Sequence, residues 1–137
     1  MSDTILLSKF HRSSPRVGGP YELLPLAERT ADFFAAPFFV ANGVEQIYVE
    51  MVVTARTGTA LVTPRLRAVM PSGALVIRGY CVQAGVVGSY VSGFGVGDDT
   101  DIDAKTDRVM LTDAVYELRL NHVDAQAMTY SINAWVF

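Results

Sequence analysis

Two stretches near the C-terminus decide the fold: Val115-Tyr116-Glu117-Leu118-Arg119-Leu120-Asn121-His122 and Met128-Thr129-Tyr130-Ser131-Ile132-Asn133-Ala134-Trp135-Val136. In the first, Tyr116, Leu118 and Leu120 alternate with Glu117, Arg119 and Asn121. In the second, Met128, Tyr130, Ile132, Ala134 and Val136 share one face. A period of two puts successive side chains on opposite sides of an extended chain, so each stretch reads as a strand with one face toward a core. Between them Val123-Asp124-Ala125-Gln126-Ala127 has the length of a hairpin loop.

The same texture extends upstream. Gln46 to Ala55 is rich in β-branched and aromatic residues and reads as a long central strand, broken by Thr57-Gly58-Thr59. Leu61 to Met70 resumes with Arg65 and Arg67 on one face and Leu66, Ala68 and Met70 on the other. Pro71-Ser72-Gly73 is a compact turn of the kind that joins antiparallel neighbours, and Ala74 to Val82 follows as another apolar strand. Phe33-Phe34, Phe38-Phe39-Val40 and Arg108 to Leu111 read as shorter strands. Glycines 79, 85, 88, 93, 95 and 97 make the middle of the chain a poor helix former, since each costs about 1 kcal/mol relative to Ala within a helix. About eight strands with short turns and no long helix predict an all-β fold, an antiparallel β-sandwich or jelly roll.

Residues 1–20 carry Lys9, Arg12 and Arg16 against Asp3 and end in Ser13-Ser14-Pro15-Arg16-Val17-Gly18-Gly19-Pro20. This stretch reads as an extended N-terminal arm with turn chemistry at its end, leaving residues 21–137 as the sandwich domain.

The chain has 137 residues, of which 50% are hydrophobic and 18% charged, a composition that excludes a disordered protein. Eleven basic residues against 14 acidic ones give a net charge of -3, so no bulk positive field favours nucleic acid. The apolar runs are far shorter than the roughly 20 residues that span a bilayer, which argues against a membrane partner. The N-terminus lacks the apolar core of a secretory signal, and the single cysteine, Cys81, fits a reducing cytoplasm. The apolar excess then calls for a neighbouring subunit, and Phe33, Phe34, Phe38 and Phe39, beside the arm with Arg12 and Arg16, form the predicted interface.

Chemical constellations are few. Asp99, Asp101, Asp103 and Asp107 place hard oxygen ligands close together in the manner of a calcium loop, but Ala104 and Met110 stand where that loop needs Gly and Glu. A solvated acidic loop is the simpler reading, and no metal or cofactor is assigned. Cys81, in an apolar run, reads as a buried structural thiol. His11 and His122 have no third ligand at metal-site spacing. His122 and Asp124 are placed to hydrogen-bond across the hairpin mouth. No nucleophile, base and oxyanion set is nominated, which points away from an enzyme. Nine arginines against two lysines suit planar pairing with carboxylates. Arg65, Arg67 and Arg78 fall on neighbouring strands, as a rim for acids on a partner or as solvated positions, with DNA contact ranked below both.

The segment Ala114 to Asp124, continuing to Thr129-Tyr130-Ser131-Ile132, resembles the closing hairpin of small β-sandwich virion proteins of tailed bacteriophages. The stretch from Ile47 to Arg67, with its Thr57-Gly58-Thr59 turn, is similar to another portion of the same proteins. The resemblance implies a non-enzymatic virion component assembled in the host cytoplasm. The expectation is a head decoration (cement) protein that binds the major capsid protein or other virion proteins and associates with itself as a trimer or ring. Two alternatives stand beside it. One is a tail, neck or connector part. The other is a carbohydrate- or calcium-binding sandwich with Tyr80, Tyr90 or Trp135 as an aromatic platform.

Overall fold

The computed structural model describes residues 5–8, 12–14, 17–35, 37–41, 44, 46–70, 72–95, 105–106 and 114–137. Every regular element among them is a strand: β1 (Ile5–Leu7), β2 (Arg12–Ser14), β3 (Val17–Arg29), β4 (Phe33–Phe34), β5 (Phe38–Val40), β6 (Gln46–Arg56), β7 (Val62–Val69), β8 (Leu75–Tyr80), β9 (Gly88–Gly95), β10 (Lys105–Thr106), β11 (Ala114–His122) and β12 (Met128–Val136). The first sheet runs β1-β5-β11-β7-β8-β10, with β4 also paired to β11; the second runs β2-β3-β12-β6-β9. All pairings are antiparallel except β1 with β5. The expected all-β sandwich is the fold of this chain.

Alternation explains the core. In β6, Ile47, Val49, Met51 and Val53 point inward, and in β12 so do Met128, Tyr130, Ile132, Ala134 and Val136. Across from them Val62 and Leu66 of β7 and Leu118 and Leu120 of β11 belong to the same buried cluster. Burying each of the larger aliphatic side chains contributes about 1.5–3 kcal/mol to holding the two sheets together.

Three expectations are corrected. The C-terminal pair is not a hairpin. β11 pairs with β4, β5 and β7 in the first sheet, while β12 pairs with β3 and β6 in the second. Residues 123–127 therefore arch from one sheet to the other. Hairpin and arch produce the same alternation, and the arch is adopted because it turns the two apolar faces toward each other. The turn at residues 57–59 is likewise an arch, from β6 to β7. Among the described residues, the sequence neighbours that do pair are β7 with β8, as expected from Ser72-Gly73, and β2 with β3.

The second correction concerns the arm. Leu7 is fully buried and β1 lies in the first sheet, so part of residues 1–20 is built into the sandwich. The boundary at residue 20 falls inside β3. Gly18-Gly19-Pro20 is a bulged strand, with the register against β12 slipping between Ala134 and Val136. Gly19 takes φ +112°, and a Cβ there would lie 2.7 Å from the Ala134 carbonyl oxygen. Further along β3, the irregular register lets the adjacent Leu23 and Leu24 both enter the core. Pro20 and Pro25 hide this strand from a reading by pattern.

Third, Phe38 is in the core rather than on a surface. It is 0% exposed and stacks on Tyr116, ring centroids 6.0 Å apart. The period of β5 sends Phe38 and Val40 inward and leaves Phe39 half-buried.

Candidate functional site

The outer face of the first sheet gathers arginines and aromatic rings. The inward turn of Leu118 and Leu120 forces Glu117 and Arg119 outward on β11, and the same alternation sends Arg65 and Arg67 outward on β7. The register sets Glu117 opposite Arg67 and Arg119 opposite Arg65. Glu117 and Arg67 form an ion pair. Two arginines directly opposite each other would repel. Arg119 is instead drawn to Asp32, whose Oδ2 accepts from its Nη2 at 3.0 Å, and Arg65 lies over the Tyr80 ring, 5.4 Å from its centroid.

β4 completes the surface. Its two residues pair with β11, Phe34 with Arg119 and Phe33 with Leu120. Phe34 is 51% exposed, and its ring lies 4.8 Å from the Arg67 guanidinium carbon and 5.6 Å from that of Arg119. Cation–π contact with two guanidinium groups holds an aromatic side chain at the surface that would otherwise seek burial. Phe33, 43% exposed, lies beside Arg29, whose guanidinium carbon also covers the Tyr130 ring at 4.8 Å. Arg29 is itself pinned by donating to the carbonyls of Tyr130, Ala27 and Pro25.

A polar seam runs beneath this patch. Asp32 Oδ1 accepts from the His122 backbone N–H at 2.8 Å. That bond and the Arg119 contact hold the Asp32 carboxyl below its ordinary pKa. His122 Nε2 shares a hydrogen bond of 2.9 Å with the Tyr130 hydroxyl. Burial pushes the His122 pKa down and that of Tyr130 up to about 12, keeping both neutral near pH 7. The expected contact between His122 and Asp124 does not form, because Asp124 instead accepts from Thr59 Oγ1 and from the Gln126 backbone N–H.

The remaining candidates are dispersed. Cys81 is buried as expected, with its thiol pushed up to about 12 by desolvation. Tyr80 is on the outer face of the first sheet, Tyr90 packs against the core and bonds through its hydroxyl to Val86, and Trp135 is on the outer face of the second sheet. They do not converge on one platform. Asp99, Asp101, Asp103, Asp107, Arg16 and His11 lie outside the described residues, as does the strand expected at Arg108 to Leu111. Arg12 is described only as part of β2. Among the described residues no group of three or more His, Cys, Asp or Glu side chains could hold a metal ion.

Sequence reasoning singled out Phe33 and Phe34, which are exposed, but gave no sign of Asp32, Arg29 and Arg119 as their neighbours. The available signal was the outward Glu117 and Arg119 beside the outward Arg65 and Arg67. The pairing of β4 with β11, which brings Asp32 to Arg119, leaves no mark in local pattern.

Fold and surface together define an antiparallel β-sandwich protein with an arginine-flanked aromatic patch on one sheet. No protein-family model matches the chain, and no curated protein matches it.

Proposed function

We propose that this chain is a non-enzymatic structural component of a bacteriophage virion, a head decoration protein that binds and reinforces the shell. The observation that carries the reading is Phe34, half-exposed on a β-sandwich face and held between Arg67 and Arg119. Aromatic and arginine side chains are the residues most enriched at the centres of protein interfaces, where a ring fills a pocket and a guanidinium pairs with a carboxylate. Phe33, opposite the inward Leu120, leaves β4 on the other side and is exposed at the neighbouring edge, beside Arg29. The resemblance of the Ile47–Arg67 and Ala114–Ile132 stretches to small phage sandwich proteins adds the virion context. Many copies, each adding a modest contact across neighbouring capsid subunits, would stiffen a shell by multivalency.

The test is co-sedimentation of the purified protein with phage heads that lack it, in the wild-type form and as Phe34→Ala. Wild-type protein should saturate the heads and raise their resistance to heat or chelator, and Phe34→Ala should bind at least about tenfold more weakly. Absence of binding to both immature and expanded heads would overturn the proposal. Labelled protein confined to one vertex would move it to the neck or tail.

A further inference from the structure

Among the described residues, the two outer faces of the sandwich carry opposite unpaired charge. Among the described residues of the first sheet and its β4 flank, three outward arginines meet two carboxylates. Arg67 takes Glu117 and Arg119 takes Asp32, so Arg65 is left with no carboxylate among the described residues. The Nε atoms of all three arginines are buried and have no hydrogen-bond partner there.

On the second sheet the register aligns Glu22, Asn133 and Glu50 in one row across β3, β12 and β6, and sets Glu28 beside Thr129. No ion pair neutralises these three carboxylates among the described residues. Val91 lies next to Glu50 in the same row, and Tyr48 sits beside Trp135 two residues along. Among the described residues, one face therefore offers an unpaired arginine among exposed rings, and the opposite face offers unpaired carboxylates among apolar and aromatic side chains.

We propose that copies of this chain associate head to tail, the outer face of the first sheet of one copy docking on the outer face of the second sheet of the next. Arg65 then meets the Glu22–Glu50 row, and Phe34 and Tyr80 pack toward the Tyr48–Trp135 side. The occupant is a second copy because both halves of the complementary pair are displayed by this one chain. A contact between two different faces is heterologous, so it closes into a ring or continues as a stack according to the rotation per copy. The inference takes from the proposed function that the protein assembles in many copies.

Sedimentation velocity of three proteins tests it: wild type, Arg65→Glu, and the double variant Glu22→Arg/Glu50→Arg. Wild type should self-associate, less so as salt is raised. Each charge-reversed form should associate at least about tenfold more weakly. An equimolar mixture of the two should recover association, because the altered face of each complements the altered face of the other. Circular dichroism checks folding, and Arg65→Gln with Glu22→Gln/Glu50→Gln replaces any reversal variant that fails to fold, with weakened association again expected. Wild-type protein that stays monomeric at about 1 mM, substitutions without effect, or a mixture that does not recover would each overturn the contact. A monomer that still binds heads overturns only this inference; a self-associating protein that binds no heads overturns only the virion reading.

Discussion

His122, the last residue of β11, and Tyr130, buried in β12, share a hydrogen bond of 2.9 Å that ties one sheet to the other at the arch end of the sandwich. The bond sits under Arg29 and beside Asp32, so the polar seam and the exposed Phe33–Phe34 patch are two sides of one structure. Rigidity in the seam fixes the position of β4, and β4 presents the patch.

We expect Tyr130→Phe to lower stability by about 1–2 kcal/mol, because the ring remains buried while the His122 imidazole loses its partner. Urea denaturation of the two proteins measures the difference. An unchanged midpoint would show that the seam contributes nothing.

Acid should weaken the fold in two steps. Burial holds the folded-state pKa of His122 below its ordinary 6.5, so as pH falls below 6.5 the unfolded chain gains a proton that the folded ring resists. Stability therefore declines from about that pH down to the lowered folded value. Asp32 adds a second loss at lower pH, since its folded pKa lies below 3.8 and its contribution disappears as pH falls through that lowered value. In His122→Gln, the slope of unfolding free energy between pH 7 and 5 should flatten.

Core and surface leucines should separate cleanly. Leu118, fully buried between the sheets, should cost about 2–5 kcal/mol on change to Ala. Leu26, 57% exposed on β3, should cost less than about 0.5 kcal/mol. Thermal melts of both variants make the comparison.

Two glycines with positive φ should respond differently to Ala. At Gly19 the added methyl meets the Ala134 carbonyl oxygen at 2.7 Å, so backbone strain and collision add and the loss should exceed about 1 kcal/mol. At Gly73, φ +88° with open space around it, only the strain remains and the loss should be smaller. Equilibrium unfolding ranks them.

Cys81 should ignore thiol reagents while the protein is folded. With its pKa at about 12, only about one molecule in ten thousand carries the thiolate at pH 8, and the sulfur is buried as well. Reaction with a chromogenic disulfide should track unfolding, and prompt labelling of native protein would contradict the buried placement.

Pattern alone determined the strand character of β6, β7, β8, β11 and β12 and, within β6, β7, β11 and β12, which side chains face the core. Ile47, Met51, Leu66, Leu118 and Ile132 are inward as their alternation requires, because a pleated chain has only two faces and water selects between them. The turn at residues 72–73 was equally legible, since glycine at positive φ is a local requirement. Which strand pairs with which was not legible. β11 and β12 look like a hairpin in sequence and lie in different sheets, β3 hides behind two prolines, and Phe38 reads as surface until β5 is placed against β11. The site depended on such long-range pairing. Asp32 reaches Arg119 and His122, and Phe34 comes between Arg67 and Arg119, because β4 docks on β11 from 85 residues away along the chain. Alternation is a property of each strand by itself, but the burial of two apolar faces against each other is a property of the whole chain, and only that decided where the charges and rings meet.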